Sequence, residues 1–459
     1  MAEIRSPLGA ARCVGRGGAP GNALRLRSLE TFAGHPEVER QLERRRRAAA
    51  GEWDLTDEVV LIGAGEPITV PGRGDRTYPF YAHSEYFYLT DRNHPGGVLA
   101  FDPGEGWFDF VTPITEDDRL WSGAPAEAQQ GLTTAALAEW LAARSGRTTA
   151  WLGASSPAAP SSATLAEGLR AGLDRVRRPK DTLELERMRI AALATRAAFA
   201  AAVPFLRDGA SERDVQIELE TAAFRAGGDA MAYDTIIGSG TNSGVLHFAP
   251  TARVLRTGEL VLIDAGAEYR CYASDITRTY PVDGQFGSQQ GELHAVVRAA
   301  ELAAIERCSP GTEWREVHRT AALVIAEGLV SAGILRGTAE SLVQSGAVWM
   351  FFPHGVGHLV GLGVRDAGGM LPERRDDPPP FPHLRIDLPL APGMVVTVEP
   401  GVYFVPAILQ DSERRRRHRD EVNWDLVDRM LDFGGIRIED NVLITDGGHE
   451  VITDVPLLG

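Results

Sequence analysis

Two aspartates occupy a stretch of the chain that is otherwise apolar and β-branched. The segment Val261–Tyr280 (VLIDAGAEYRCYASDITRTY) contains two such runs separated by residues 266–268, which predicts two antiparallel strands joined by a turn. Asp264 lies near the end of the first strand and Asp275 within the second. Burying a carboxylate is costly unless its charge is compensated, and two carboxylates on facing strands repel each other. The pattern therefore indicates a divalent cation between them.

Three later segments place further polar groups among apolar residues or glycines. His354 and His358 lie in FPHGVGHLVGLGV, Glu399 ends the strand-like run MVVTVEPG, and Glu439 lies in GIRIEDNVLIT. Taken singly, each has an ordinary explanation as a hydrogen-bonded core histidine or a carboxylate paired with an arginine. Together with the two aspartates they supply a set of four carboxylates and one imidazole, namely Asp264, Asp275, His358, Glu399 and Glu439.

This predicted ligand set is dominated by hard oxygen donors. Such donors favour Mn²⁺ or a similar cation over a metal that prefers thiolates, although Zn²⁺ and Co²⁺ stay open. Four negative charges are balanced by two divalent ions. Two metal ions that share a hydroxide lower the pKa of water and stabilise a tetrahedral intermediate, so the set predicts a hydrolase with two metals per chain.

The elements that must position these residues follow from the periodicity of the second half of the chain. Asp181 and Glu184 form an N-cap signature before an Ala-rich helix that extends to about residue 205. Further helical patterns cover residues 292–307 and 313–330. Helices in pairs, alternating with strand hairpins, predict an α+β domain over residues 181–459.

The first part of the chain has a different pattern. Strand-like runs at residues 59–62, 86–89, 97–101 and 150–153 alternate with a helical pattern at residues 135–143. This alternation predicts a smaller α/β domain over residues 29–175. Residues 1–28 are rich in glycine and arginine, which predicts a flexible tail.

Charge and composition narrow the classes of partner. The formal net charge is −16, which argues against binding to nucleic acid or to an anionic membrane. No apolar run approaches the ~20 residues that span a bilayer, and the N-terminus lacks the apolar core of a secretory signal. Three cysteines are too few for a disulfide framework and fit a reducing compartment. We therefore expect a cytoplasmic protein.

Taken together, IDAGAEYRCYASDITRTY, HGVGH, VEPG and RIED resemble the pita-bread metallopeptidase family. Within it they look most like the Xaa-Pro dipeptidases (prolidases) and the aminopeptidases P. The resemblance is strong from about Arg178 to the end and weaker over residues 29–175. It implies a C-terminal pita-bread catalytic domain after a smaller N-terminal domain, and we expect a homodimer.

The resemblance also implies roles for the ligands. Asp264 would bind one metal, Asp275 and Glu439 would bridge both, and His358 and Glu399 would complete the second. Glu399 would also take the proton of the bridging hydroxide, which attacks the scissile carbonyl. A general base must first be close to the proton it removes, as Glu399 would be here.

Other residues match family positions that face the substrate. His247 matches a substrate-facing histidine, and His354 matches the histidine beside the scissile carbonyl. Arg385 and Arg437 match arginines near the site, and Tyr233 matches an aromatic residue near the second metal. We expect these three residues and Arg365 to bind the substrate. Arg385 would read a carboxylate, a task that suits the planar fork of arginine.

One position departs from the family pattern. The family usually has histidine in the segment GLGV-x-D, where this chain has Arg365. Arginine cannot accept a proton at any relevant pH, but it can bind an oxyanion or a carboxylate. The departure bears on substrate preference and rate and leaves the metal ligands unaffected.

The sequence therefore predicts hydrolysis of the peptide bond before proline in Xaa-Pro dipeptides. An insertion at residues 405–431, similar to one in prolidases, favours this reading. The alternative is an aminopeptidase P, which releases the first residue of longer Xaa-Pro peptides. A third reading is a non-catalytic pita-bread binding protein, against which the full ligand set argues. Organophosphate hydrolysis as a side activity stays open.

Overall fold

The computed structural model describes residues 35–123, 131–154, 161–371, 374, 381, 384–453 and 455. The chain divides into two compact units, residues 1–40 and 41–459. Of the first unit only residues 35–40 are described, and they contain the start of helix α1 (Pro36–Trp53). The predicted flexible tail of residues 1–28 lies outside the described residues.

Five strands near the beginning of the second unit form one sheet in the order β4-β3-β2-β1-β5. They are β1 (Val59–Gly63), β2 (Val98–Asp102), β3 (Gly106–Val111), β4 (Leu132–Thr133) and β5 (Thr149–Gly153). Side chains of β1 alternate between two apolar clusters, with Val60 and Ile62 in one and Val59 and Leu61 in the other. The strand is therefore covered on both faces, and three of the four predicted strands of this region are confirmed.

The fourth predicted strand of this region, at residues 86–89, is wrong, because these residues belong to a helix. The helices here are α2 (Ser84–Thr90), α3 (Glu116–Ser122), α4 (Leu137–Ala142) and α5 (Ala163–Arg177). All four residues from Tyr86 to Leu89 are at most 3% exposed, so α2 has no polar face in this stretch. A helix buried on every side lacks the apolar period that identifies a helix in a sequence. The helix predicted at residues 135–143 is confirmed as α4 and the 3₁₀ turn before it.

Two helix pairs dominate the rest of the second unit. α6 (Thr182–Ala202) packs against α7 (Glu212–Arg225), and α8 (Ser288–Glu306) packs against α9 (Trp314–Ser331). The predicted N-cap is confirmed, since the Asp181 side chain accepts a hydrogen bond from the Glu184 amide and the Glu184 side chain accepts one from the Asp181 amide. This reciprocal capping fixes where α6 begins.

The stretch Thr182–Phe205 is long and apolar enough to cross a membrane by length and composition alone. Arg189 and Arg196 interrupt this stretch, so the sequence contains no continuous apolar run of that length. Ala191, Ala198 and Phe199 are at most 1% exposed. This face of α6 packs into the protein core, as expected of an internal helix of a globular protein.

Antiparallel strands form the remaining sheets, in the orders β11-β8-β7, β10-β9-β6, β14-β17-β18 and β15-β16, beside a short parallel pair β12-β13. Their bounds are β6 (Ala230–Met231), β7 (Ile236–Ser239), β8 (Leu260–Ala265), β9 (Ala267–Tyr269), β10 (Tyr272–Ala273), β11 (Ile276–Pro281), β12 (Gly369–Met370), β13 (Ile386–Asp387), β14 (Val395–Val398), β15 (Gly401–Tyr403), β16 (Gly435–Arg437), β17 (Asp440–Thr445) and β18 (Gly448–Val451). Helix pairs together with antiparallel sheets confirm the predicted α+β class.

The predicted hairpin is present, but its turn lies further along the chain than expected. Residues 267–269 belong to β9, and the chain reverses at Arg270 and Cys271, whose φ values are 50° and 64°. Gly266 has another function, because a Cβ there would lie 1.8 Å from the Ser274 carbonyl oxygen. Glycine is needed at this position for the close approach of two strands and not for a turn.

The insertion at residues 405–431 folds into three short helices between β15 and β16. They are α11 (Pro406–Leu409), α12 (Ser412–Arg417) and α13 (Trp424–Arg429), and they follow α10 (Ala339–Ser345) in the order of helices. Leu409 and Val427 are fully buried in the largest apolar cluster, which also contains residues of α8 and α9. The insertion is therefore part of the core.

Candidate active site

Strand pairing brings three of the predicted ligands together. Thr277 lies opposite Asp264 in the pairing of β11 with β8, and it also forms an isolated bridge with Glu439. Asp275 stands immediately before β11 and Glu439 immediately before β17. Asp264, Asp275 and Glu439 are all at most 7% exposed. The register of these strands thus gathers three carboxylates around one threonine.

The other two predicted ligands come from the neighbouring sheet. Glu399 follows the last residue of β14, whose pairing with β17 puts Val398 opposite Asp440. The backbone of His358 pairs with Thr397, since the Thr397 amide donates to the His358 carbonyl oxygen at 2.8 Å. Both side chains consequently lie beside the carboxylates of the β8–β11 hairpin.

Asp275, His358 and Glu439 form a buried group whose ligand atoms lie within 4.8 Å of one another. His358 Nε2 is 3.4 Å from Asp275 Oδ2 and 3.9 Å from Glu399 Oε1. The Tyr233 hydroxyl lies 2.6 Å from Asp264 Oδ1 and 2.5 Å from Asp275 Oδ1, which links the two aspartates. All five predicted ligands therefore face the same space.

The electrostatics of this group fit a cation. Burial, followed by the charges of Asp275 and Glu399, raises the pKa of Glu439 well above its usual value. Burial likewise raises the pKa of Asp264, and Asp275 adds to the rise against the opposing charge of Arg437. These shifts express the cost of gathering desolvated negative charges, which a divalent ion would relieve.

The tautomer of His358 also suits a metal ligand. Its Nδ1 lies 3.1 Å from the Leu359 carbonyl oxygen, which can only accept a hydrogen bond, so Nδ1 carries a proton. Nε2 is then the ring nitrogen that faces Asp275 and Glu399, and a cation bound between them would take the place of its proton. Burial lowers the pKa of His358, but its hydrogen bond to Asp275 and the carboxylate charges outweigh burial and raise it. A cation between Nε2 and the carboxylates of Asp275 and Glu399 would stabilise the Nε2 lone pair in this position.

A directed chain of hydrogen bonds runs from Arg437 to His354. The Arg437 guanidinium donates to Asp264 Oδ2 at 2.6 Å and to the Tyr403 hydroxyl at 2.8 Å. The Tyr403 hydroxyl lies 2.9 Å from His354 Nε2, and His354 Nδ1 lies 2.9 Å from the carbonyl oxygen of Gly355. Since that carbonyl only accepts, Nδ1 carries the ring proton and Nε2 accepts from Tyr403. Burial, followed by the charge of Arg437, lowers the pKa of His354 to about 3, so the ring is neutral.

A cavity of about 630 Å³ is lined by every residue that the sequence analysis assigned to the site. Arg437 contributes to the lining, but it is only 3% exposed and is hydrogen-bonded to Asp264, Tyr403 and Thr277. In contrast, His247, Arg365 and Arg385 are exposed, and none of their side chains has a hydrogen-bond partner among the described residues. Among the described lining residues, these three are the basic side chains with polar groups free for a ligand, and the exposed carboxylate of Asp234 also has no partner there.

The residue next to Arg365 explains why this arginine is free. Asp366 pairs with Arg177 at 2.5 Å and with Lys180 at 2.8 Å, and both cations are buried. Burial raises the pKa of Asp366, but the charges of Lys180 and Arg177 outweigh burial and lower it to about 2. Residues 175–180, the first three of which end α5, thus anchor the segment that carries Arg365.

Three residues that were not singled out from the sequence form hydrogen bonds to residues of the site. Thr277 Oγ1 donates to Glu439 Oε2 at 2.6 Å. Asn441 exchanges two hydrogen bonds with the backbone of Asp275, at 3.0 and 2.7 Å. Thr277 and Asn441 each stand two residues beyond a ligand, on the same face of a strand, and this spacing is the signal that could have identified them. Tyr403, which follows VEPG, carries no such signal in the sequence.

The comparisons with known proteins agree with this site. Residues 186–446 match metallopeptidase family M24, and residues 42–144 match the aminopeptidase P N-terminal domain. A probable Xaa-Pro aminopeptidase of Ajellomyces capsulatus is 32% identical over 437 residues, which cover 90% of this chain and 93% of the relative.

Solved structures of aminopeptidases P are also similar to this chain. Aminopeptidase PepP of Pseudomonas aeruginosa matches with a TM-score of 0.76 and 28% identity, covering 92% of this chain and 96% of that one. Aminopeptidase P of Escherichia coli with the inhibitor Pro-Leu matches with a TM-score of 0.74 and 28% identity, covering 90% and 94%. The predicted pita-bread fold with a smaller N-terminal domain is confirmed, and the chain belongs to metallopeptidase family M24.

Proposed function

We propose that this metallopeptidase is a Xaa-Pro aminopeptidase, which releases the first residue of peptides that have proline in second position. The observation that carries the proposal is the convergence of all five predicted ligands on one cavity. The choice of peptide is supported by the names of the relatives and by the N-terminal domain match. The dipeptidase prediction is not confirmed, and the comparisons favour its aminopeptidase alternative.

The five ligands would hold two divalent ions, which lower the pKa of water and polarise a carbonyl when they are bound. The oxygen-rich donor set makes Mn²⁺ our proposed metal. Glu399 faces both sides of the cavity, with Oε1 3.9 Å from His358 Nε2 and Oε2 3.8 Å from His354 Nδ1. We assign it the transfer of a proton between the metal side and the substrate side.

His247 is the histidine that we assign to the substrate carbonyl. His354 uses both ring nitrogens for protein partners, so it has no free N–H to donate. His247 has no such partner, and burial, followed by the charges of Arg437 and Arg365, lowers its pKa. A neutral imidazole still carries one N–H, which is enough to donate one hydrogen bond to a carbonyl oxygen.

The decisive assay compares Ala-Pro with Ala-Pro-Ala on chelated protein reloaded with Mn²⁺, Zn²⁺ or Co²⁺. We expect release of alanine from the tripeptide and a lower kcat/KM for the dipeptide. N-acetyl-Ala-Pro-Ala, which lacks the free amine, is the control and should not be cleaved. Faster cleavage of the dipeptide would restore the prolidase reading, and no cleavage of any Xaa-Pro peptide by the loaded enzyme would refute the proposal.

Arg365 and Arg385 are expected to favour peptides that end close to proline in a free carboxylate. Because both guanidiniums are exposed, each ion pair should contribute about 1 kcal/mol at most, or about fivefold in KM. Ala-Pro-Ala should therefore bind more tightly than its C-terminal amide, and Arg365→Ala should remove the share of Arg365, about fivefold in KM, while the amide is cleaved as before. Arg365→His should give the same loss. Equal KM values for acid and amide in the unmodified enzyme would contradict this assignment.

A further inference from the structure

A buried histidine outside the cavity contacts the segment that carries His354 and His358. His318 lies on α9 and is completely inaccessible to solvent. Its ring stacks on Trp349 with centroids 5.2 Å apart and planes 17° apart, and the rings of Phe352 and Phe381 lie 5.3 and 5.0 Å away. An imidazole enclosed by aromatic rings has few polar neighbours, so its one hydrogen bond is informative.

That hydrogen bond comes from the backbone of Val356. The Val356 amide donates to His318 Nδ1 at 3.1 Å. Nδ1 therefore acts as an acceptor, and the proton of the neutral ring lies on Nε2, which has no hydrogen-bond partner among the described residues. Burial lowers the pKa of His318 to about 3, which keeps the ring neutral and Nδ1 free to accept.

Val356 is the midpoint between His354 and His358, and the segment has no regular secondary structure. On the His358 side the segment is held by the end of β14, since the His358 amide donates to Thr397 Oγ1 at 3.0 Å. The Val356 carbonyl accepts from the Glu399 amide at 2.8 Å. The Val356 amide points the other way, towards α9, and His318 is its acceptor.

We propose that His318 is a positioning residue, whose Nδ1 fixes the Val356 amide and thereby orients His354 and His358. Without an acceptor there, the buried amide would turn to find another, and the segment would turn with it. Partners that orient a ligand in this way typically affect metal affinity or activity by ~10- to 100-fold. The effect on turnover rests on the proposed function, whereas the effect on metal binding does not.

Two substitutions separate the hydrogen bond from packing. His318→Leu removes the acceptor and keeps an apolar side chain, whereas His318→Asn keeps an acceptor oxygen near the position of Nδ1. We expect His318→Leu to lower kcat and to weaken Mn²⁺ binding in calorimetric titration by ~10- to 100-fold, and His318→Asn to recover most of both. Trp349→Leu is the matched control, since it disturbs the same aromatic cluster and leaves the hydrogen bond in place.

A measurement on the unmodified, metal-free protein decides the case if the variants do not fold. Nitrogen-15 NMR of the full chain should show His318 with Nδ1 unprotonated and Nε2 protonated. A proton on Nδ1 would overturn the proposal, as would normal kcat and metal affinity in His318→Leu. Equal losses in the two His318 variants and in Trp349→Leu would also overturn it, because packing alone would then explain them. If no Xaa-Pro peptide is cleaved, metal titration and NMR still test His318.

Discussion

Asp275→Asn is expected to lose most of the bound metal and nearly all of the turnover. Asp275 contacts two other side chains of the site, since Oδ1 accepts from the Tyr233 hydroxyl and Oδ2 lies 3.4 Å from His358 Nε2. An amide has no charge to offer a cation, and its NH₂ group cannot accept a hydrogen bond. Because partners that only orient ligands are worth ~10- to 100-fold, loss of a ligand should exceed ~100-fold in kcat/KM.

The loss of bound metal in Asp275→Asn is measured by elemental analysis after saturation with Mn²⁺ and dialysis. The loss of turnover is measured by hydrolysis of Ala-Pro-Ala. Asp446→Asn is the matched control, because Asp446 is exposed in the turn between β17 and β18 and should change neither quantity. Full metal content and activity in Asp275→Asn would show that this aspartate is not a ligand.

Glu399→Gln is expected to lose turnover far more than substrate affinity. The glutamine oxygen can still meet a metal, but it cannot carry a proton between the two sides of the cavity. Desolvation raises the pKa of Glu399 to about 7, in keeping with a carboxylate whose proton affinity is set by its surroundings. Removal of one general base typically costs ~10²- to 10⁴-fold in kcat, whereas KM should change little.

The measurement is steady-state kinetics of Glu399→Gln beside its metal content, so that loss of a ligand and loss of a base can be distinguished. Glu327→Gln, at an exposed position of α9, is the control for the substitution itself. A near-normal kcat in Glu399→Gln at full metal content would exclude the proton-transfer role. A parallel fall of metal content and kcat would assign Glu399 to metal binding alone.

The grouping of the proposed metal ligands could be predicted because buried charge is conspicuous in a sequence. Asp264, Asp275 and Glu439 each interrupt a β-branched run, and the structure brings them together with His358 and Glu399. The strand order could not be predicted, since it depends on contacts between distant segments such as the bridge between Thr277 and Glu439. Those contacts supply the hydroxyl that completes the site.

Two local errors of the sequence-based prediction have identifiable physical causes. A turn was predicted at Gly266 because glycine is common in turns. The chain instead reverses at Arg270 and Cys271, two residue types that do not indicate a left-handed backbone conformation. The strand predicted at residues 86–89 failed because complete burial hides helical periodicity. In both places a tertiary contact, and not the local sequence, determined the conformation.

Side-chain roles were the least predictable part of the site. Arg437 was assigned to substrate binding through the family resemblance, and only the structure reveals that its guanidinium is hydrogen-bonded to Asp264, Tyr403 and Thr277. A sequence contains no information on whether an arginine already has partners. Arg365 and Arg385, in contrast to Arg437, are exposed and have no hydrogen-bond partner among the described residues.

The hydrogen-bond chain from Arg437 to His354 makes the two halves of the cavity thermodynamically dependent on each other. Arg437 cannot accept and the Gly355 carbonyl cannot donate, so both ends are fixed and one proton arrangement satisfies every member. Rotation of His354 towards a ligand breaks its hydrogen bond with Tyr403. Through Tyr403, this rotation also alters the hydrogen bond from Arg437 to Asp264. Metal binding and the rotation of His354 are therefore linked equilibria. The amount by which metal binding changes the free energy of the rotation equals the amount by which the rotation changes the free energy of metal binding.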